Sequence, residues 1–137
     1  MTRAQGTQDL GKAILRIVLG VLILLHGISK LMAGPGFVEQ VVAQAGLPGP
    51  VAYLVYIGEV VAPILLIIGL WARAAGLIVA INMVFALALV HAKQFGEMAP
   101  TGGWALELQG MYLAAALVVA LIGAGRLSVG GVDGKWN

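Results

Sequence analysis

The chain has 137 residues, of which 61% are hydrophobic and 10% charged, against roughly 25% charged in a soluble domain. With a mean hydropathy of +1.00, that composition excludes an ordinary soluble domain and describes a single integral membrane domain. The net charge of +2 bears on orientation and gives no reason to expect a nucleic-acid partner, and the lack of cysteine excludes disulfides, thiolate ligands and cysteine nucleophiles.

The first nine residues, MTRAQGTQD, are polar. A first span follows over about 10–32; it outruns the short core of a signal peptide and reads as a retained helix. Lys12 and Arg16 lie at its start, placed to snorkel to the interface. His26, Ser29 and Lys30 lie toward its end, and Ala33-Gly34-Pro35-Gly36 breaks it. Phe37 to Ala45 is too short to span. Its apolar residues fall at helical spacing between Glu39, Gln40 and Gln44, which predicts a short amphipathic helix lying at the interface.

The second span, 51–70, carries one charge, Glu59, near its middle, and Pro63 follows four residues later. A proline has no N–H for the carbonyl four residues back, here that of Glu59 itself, so a kink is expected at the carboxyl-bearing residue. A carboxyl at that depth is costly and faces the protein interior or a water-filled cavity. Trp71-Ala72-Arg73 is the only turn before the third span, 73–91, so these two helices are antiparallel neighbours. Asn82 lies inside the third span and His91 at its end, while Ala72, Gly76 and Ala80 are spaced for close helix contact. A polar loop, 92–103, leads to a fourth span over 104–124 that opens on Trp104, Glu107, Gln109 and Tyr112, an interfacial end. The tail, 125–137, is glycine-rich and carries Arg126, Asp133 and Lys135.

Four spans joined by short turns predict an all-α membrane bundle of up-down-up-down order, with the amphipathic helix between the first and second spans. Both termini then share a side with the Trp71–Arg73 turn. That side holds Arg3, Lys12, Arg16, Arg73, Arg126 and Lys135, and the other holds Lys30 and Lys93. The excess of basic residues places both termini in the cytoplasm.

At about 1.5 Å per residue, Lys30 and His91 lie near the outer interface, Glu107 roughly 5 Å in, His26 roughly 8–9 Å in and Glu59 roughly 13 Å in. Each span thus sends an ionisable group into the outer half. His26 and Lys30 share a face, as do Tyr56 and Glu59. Asn82 and His91 stand about 180° apart on an ideal helix, so only one of them is expected to point inward.

The redox reading makes Glu59 and His26 the catalytic pair, a buried carboxyl and its histidine passing protons to or from a quinone. Tyr56, Lys30, His91 and Glu107 then form the edge of the quinone pocket. Plainer roles exist for each group: a packing histidine at His26, a snorkel at Lys30, an interhelical hydrogen bond at Asn82, topology determinants at Arg73 and Arg126. Two other functions stay open. One is a metal or haem held by the histidines and carboxylates, for which no E-x-x-H pairing and no attachment motif is present. The other is a non-enzymatic scaffold or assembly protein, or a small-solute carrier that needs several copies because four helices leave little room for a pore.

The order of these features resembles the DoxX family of small four-helix bacterial membrane proteins, related to the DoxD subunit. The resemblance runs from about Leu15 to Ser128. It rests on Arg16-x-x-x-Gly20, His26-Gly27-x-x-Lys30-Leu31, Gly46-Leu47-Pro48, Glu59, Gly69-Leu70-x-x-Arg73, His91 and Gly125-Arg126-Leu127-Ser128. The last stretch departs from the expected pattern, with Ala124 in place of a proline. The resemblance implies a multi-pass protein of the bacterial inner membrane with a redox role. The DoxD branch is associated with thiosulfate:quinone oxidoreduction alongside a second subunit, which implies a soluble or membrane redox partner. It assigns no catalytic residue; those named above rest on burial and convergence.

Overall fold

A computed structural model describes residues 1–137. The chain is all-α, apart from one isolated bridge between Met98 and Trp104. Helix α1 covers Arg3–Ala33 and so begins before residue 10, inside the polar leader. Thr2 and Gln5 cap each other: the Gln5 N–H donates to Thr2 Oγ1 at 3.2 Å and the Thr2 N–H to Gln5 Oε1 at 2.8 Å. That reciprocal cap satisfies two free donors at the helix start. Hydropathy marks where a helix leaves the membrane, and the cap decides where it begins.

Helix α2, Gly36–Gln44, forms as the spacing predicts. It is seated on protein: Val38 and Val42 bury against Ala52 and the Tyr53 hydroxyl donates to Glu39 at 3.3 Å. The second span is built in three pieces: α3 at Val51–Tyr56, one π-helical turn at Ile57–Val61, and α4 at Ala62–Ile68. The kink expected from Pro63 takes the form of that π-turn. Pro63 has no N–H for an α-type bond to Glu59, and the chain widens so that the Ala62 N–H donates to the Ile57 carbonyl, five residues back.

Helix α5 covers Ala72–Leu89 and α6 covers Glu107–Ile122, both shorter than the predicted 73–91 and 104–124. His91 lies beyond the end of α5. Trp104 belongs to the folded loop before α6, where its indole N–H donates to the Phe95 carbonyl at 2.8 Å. Three helical stretches, Arg3–Ala33, Val51–Ile68 and Ala72–Leu89, are long and apolar enough to cross a membrane; α6 is apolar but has 16 residues.

Helix α1 packs on α4 and α6, and α5 packs on the same two. The shared core includes Leu19, Ile23, Leu66, Val79, Ala116 and Val119. Gly76 brings α5 against α6 as its small-residue spacing predicts: a Cβ there would lie 2.8 Å from the Ala116 carbonyl oxygen. Large apolar residues such as Leu25 and Leu121 remain exposed on the outside, as in a helical membrane protein.

Arg16 does not snorkel. It is 2% exposed, and its guanidinium donates to the carbonyls of Leu66 at 2.7 Å, Ile67 at 2.6 Å, Ala124 at 3.4 Å and Leu127. These oxygens belong to the end of α4 and the segment after α6, where carbonyls lack helical partners and the helix dipole is negative. Arg73 likewise donates to the Leu121 carbonyl at 2.7 Å. Arg126 meets the buried Asp9 carboxylate, with Nε at 3.8 Å and the backbone N–H at 3.2 Å. The tail folds back over this end, held by the buried Asn137, whose Oδ1 accepts from the Ala72 N–H at 3.1 Å and whose Nδ2 donates to the Gly131 carbonyl at 2.6 Å.

Arg16→Met leaves several buried carbonyls without a donor, at about 1 kcal/mol or more each. Thermal unfolding in mild detergent should therefore show a loss of roughly 3 kcal/mol, with Arg16→Lys recovering only part because one ammonium cannot serve the same spread of acceptors. A melting temperature equal to that of the parent would show that water or lipid headgroups replace the guanidinium without cost.

Candidate functional site

The π-turn places Glu59 in the protein interior, 4% exposed. Two glycines draw the neighbouring helices onto it. A Cβ at Gly27 of α1 would overlap the Glu59 carbonyl oxygen, so α1 passes in backbone contact with the turn. A Cβ at Gly58 would come within 2.7 Å of the Asn82 side chain, so α5 is equally close on another side.

These approaches set the partners of the carboxylate. Lys30 lies three residues beyond Gly27, and its Nζ pairs with Glu59 Oε2. Asn82 Nδ2 donates to Glu59 Oε1 at 3.2 Å. Each carboxylate oxygen thus has a donor, as a buried charge requires. The Tyr56 hydroxyl donates to the Lys30 carbonyl at 3.4 Å and ties the end of α1 to α3. The Lys30 side chain is 30% exposed and that of Glu59 6%, so the pair runs from the core to an open space.

That space is a cavity of about 520 Å³ bounded by α2, the first half of the second span and the second half of α5. It has the size and character of a small-molecule site, apolar with a few placed polar groups. Val38, Val42, Ile81 and Phe85 are among its apolar walls, and its polar groups come from Lys30, Glu59, Asn82 and His91.

The predicted site residues divide. Glu59, Lys30 and His91 share the cavity. Asn82 and His91 both line it, against the expectation that one would turn away. The helical wheel stops applying because α5 ends at Leu89 and His91 sits in the following turn with φ −110° and ψ 7°. His91 Nδ1 lies 2.8 Å from Gln94 Oε1. Tyr56 supports Lys30 from outside the cavity wall. His26 makes no hydrogen bond to Glu59 and does not line the cavity: it is exposed, and its ring stands edge-on to Tyr112 of α6, with centroids 6.1 Å apart and planes at 77°. Glu107 is exposed, with its carboxylate lying over Gly103 at the head of α6, and it does not line the cavity. His26 and His91 have separate surroundings, and no three His, Asp or Glu side chains gather, so the alternative of a metal held by one donor per helix finds no cluster to rest on.

The sequence reading missed Asn82 as the second donor to Glu59. The available signal was glycine: Gly58 adjoins Glu59, and Gly27 precedes Lys30 on the facing helix.

Together the apolar helices and the buried ion pair opening on a cavity define a multi-pass helical membrane protein with a ligand-sized, mostly apolar pocket that carries a few polar groups. The chain belongs to the DoxX family, whose model matches residues 11–92. That stretch takes in α1 from Gly11 onward, α2 to α5 and the whole cavity, and stops short of α6. Similar proteins include "Putative oxidoreductase CatD" of Bacillus subtilis (strain 168), 29% identical over 85 residues, 62% of this chain and 63% of that protein. Another is an "Uncharacterized protein" of Haemophilus influenzae (strain ATCC 51907 / DSM 11121 / KW20 / Rd), 30% identical over 86 residues, 63% of each chain. The match thus spans less than two thirds of either relative. No solved structure matches.

Two stability measurements check the geometry. Lys30→Met strands the Glu59 carboxylate and should cost about 3 kcal/mol, most of it recovered in Lys30→Met/Glu59→Gln. Additive losses in that cycle would mean that the two groups are not coupled. Gly27→Ala forces α1 off the Glu59 carbonyl and should cost about 1–3 kcal/mol. Gly11→Ala, whose Cβ would meet nothing within 4 Å, should be neutral or slightly stabilising through helix propensity.

Proposed function

We propose that this chain is the membrane subunit of a quinone-linked oxidoreductase, and that the cavity receives the quinone ring. The observation that carries this reading is the Lys30–Glu59–Asn82 cluster at the wall of an otherwise apolar cavity of about 520 Å³. A quinone has the matching chemistry, an apolar body with two ring oxygens that exchange two electrons and two protons. The name of the CatD relative supports the class, and electrons come from a partner subunit.

In this reading the catalytic pair is Glu59 with Lys30, in place of Glu59 with His26. The Lys30 ammonium donates a hydrogen bond to a ring oxygen and can pass its proton there. The Glu59 carboxylate holds the ammonium in place and accepts a proton from a ring hydroxyl in the opposite direction. Asn82 orients the carboxylate, Tyr56 fixes the backbone of Lys30, and His91 with Gln94 leads from the cavity rim to the polar loop. His26 packs α1 on α6 through Tyr112. The proposal includes α6 as the fourth span of an up-down-up-down bundle, with both termini on the cytoplasmic side of a bacterial inner membrane.

A second reading draws on the same cluster. Lys30, Glu59 and Asn82 join α1, the second span and α5, as expected of a scaffold whose polar groups only fasten helices.

The two part on substitution. Protein purified in mild detergent should retain stoichiometric quinone, seen by mass spectrometry of the extract. Glu59→Gln keeps an acceptor for Asn82 and should remain folded, yet lose the quinone and quinone-dependent turnover. Lys30→Arg should keep the ion pair and the melting temperature and still lose turnover, because a guanidinium does not release its proton. Full activity in Glu59→Gln, or an extract containing only bulk phospholipid, would remove the quinone reading in favour of the scaffold.

A further inference from the structure

A second concavity lies at the opposite end of the second and third spans. It measures about 750 Å³ and is bounded by the end of α4, the start of α5, Ala120 of α6 and the folded-back tail. Its apolar floor includes Leu65 and Leu77, and its rim carries Trp71, Arg73, Lys135 and Trp136. This is the end of the bundle with the excess of basic residues.

Both rim tryptophans are held in the left-handed backbone region, Trp71 at φ 50° and Trp136 at φ 61°. That region is unfavourable for a bulky side chain and survives only where the surroundings impose it. Here the surroundings are visible. The Trp136 carbonyl accepts from the Arg73 N–H at 2.9 Å, and the buried Asn137 clamps the next position to Ala72 and to Gly131. The fold thus fixes the backbone at both tryptophans while leaving the residues 53% and 61% exposed. Neither Arg73 nor Lys135 pairs with an Asp or Glu side chain, since the ion pairs between side chains are Lys30 with Glu59 and Arg126 with Asp9. Arg73 spends one nitrogen on the Leu121 carbonyl.

Two cations without an acidic side-chain partner and two exposed tryptophans around an apolar floor fit one kind of occupant. We propose that this concavity binds an anionic phospholipid of the adjacent leaflet, with its phosphate between Arg73 and Lys135, its glycerol region against the indoles of Trp71 and Trp136, and an acyl chain along Leu65 and Leu77. Basic pockets between spanning helices bind acidic headgroups in this way, and indoles favour the headgroup level. A zwitterionic headgroup would leave the charge of the site uncompensated. The cavity that holds Glu59 plays no part, so this site stands whether or not a quinone occupies the other one.

The test is native mass spectrometry of the full chain in mild detergent, titrated with phosphatidylglycerol or phosphatidylcholine of matched acyl chains. Preferential retention of phosphatidylglycerol is expected. Lys135→Gln should weaken that preference about fivefold, and Arg73→Gln/Lys135→Gln by about a further fivefold, as the contribution of each cation near an acidic headgroup implies. Lys93→Gln, at the other end of the bundle, should leave it unchanged. The Lys135 side chain makes no hydrogen bond or ion pair in the structure, so Lys135→Gln keeps the test valid if removal of Arg73 impairs folding. Equal retention of the two lipids, or an unaltered preference in Lys135→Gln, overturns the proposal. So does displacement of the lipid by millimolar inorganic phosphate, which would make this a soluble-anion site.

Discussion

The arrangement depends on one missing hydrogen-bond donor. Pro63 cannot close an α-helical bond onto Glu59, and the second span relaxes into a π-turn over Ile57–Val61. A π-turn inside a spanning helix is tolerated only if neighbouring groups occupy the widened backbone. Gly27 does so on the α1 side, its missing Cβ leaving room for the Glu59 carbonyl. The same contact sets the height of α1 against the second span and hence delivers Lys30 to the Glu59 carboxylate. Backbone defect, glycine contact and ion pair are one device, and each would be unfavourable alone. A buried carboxylate without its cation costs several kcal/mol, and a glycine in a helix interior costs roughly 1 kcal/mol relative to alanine.

The two ends of the bundle use polar groups differently. At one end the guanidinium of Arg16 is fully enclosed and spent on carbonyls of four residues. Arg73 and Asn137 add further ties, so the end where α4, α5 and α6 meet the tail is closed by hydrogen bonds. At the other end the second and third spans and α2 leave a cavity between them, and its polar cluster is satisfied yet reachable. With a closed base and an open upper half, the cavity lies outside the packed core of Leu66, Val79 and Val119 and does not interrupt it.

Much of this was legible in the sequence. Apolar runs located the spanning stretches, the spacing of Phe37 to Ala45 located α2, and depth arithmetic singled out Glu59 together with the Pro63 defect. The errors share a cause, which is that sequence spacing gives the face of a residue but not what approaches that face. His26 and Lys30 project from one side of α1, yet Lys30 carries the longer side chain and Gly27 brings its turn onto the second span, whereas His26 meets Tyr112. Arg16 looked like an interfacial cation because it lies near the start of a span. Its burial depends on carbonyls contributed by Leu66, Ala124 and Leu127, distant in sequence. His91 was judged on a helical wheel that the chain leaves after Leu89.

The choice of cation at the two ends carries a chemical argument. A guanidinium keeps its proton under any condition a protein meets and spreads five donors in a plane, which suits a permanent brace between several carbonyls. An ammonium concentrates its charge, sits on a flexible stem and can give up a proton when its surroundings change. Arg16 faces only backbone oxygens, none of which can accept a proton in exchange. Lys30 faces a carboxylate that can, and both line the same cavity. Under the proposed quinone reading, a proton given by Lys30 to the ligand takes the pair from a net charge of zero to one negative charge, with the Glu59 carboxylate facing a neutral amine. A buried unpaired carboxylate is costly, so in that reading each proton given up by the pair has to be replaced, which is the condition that proton-coupled chemistry at this depth must meet.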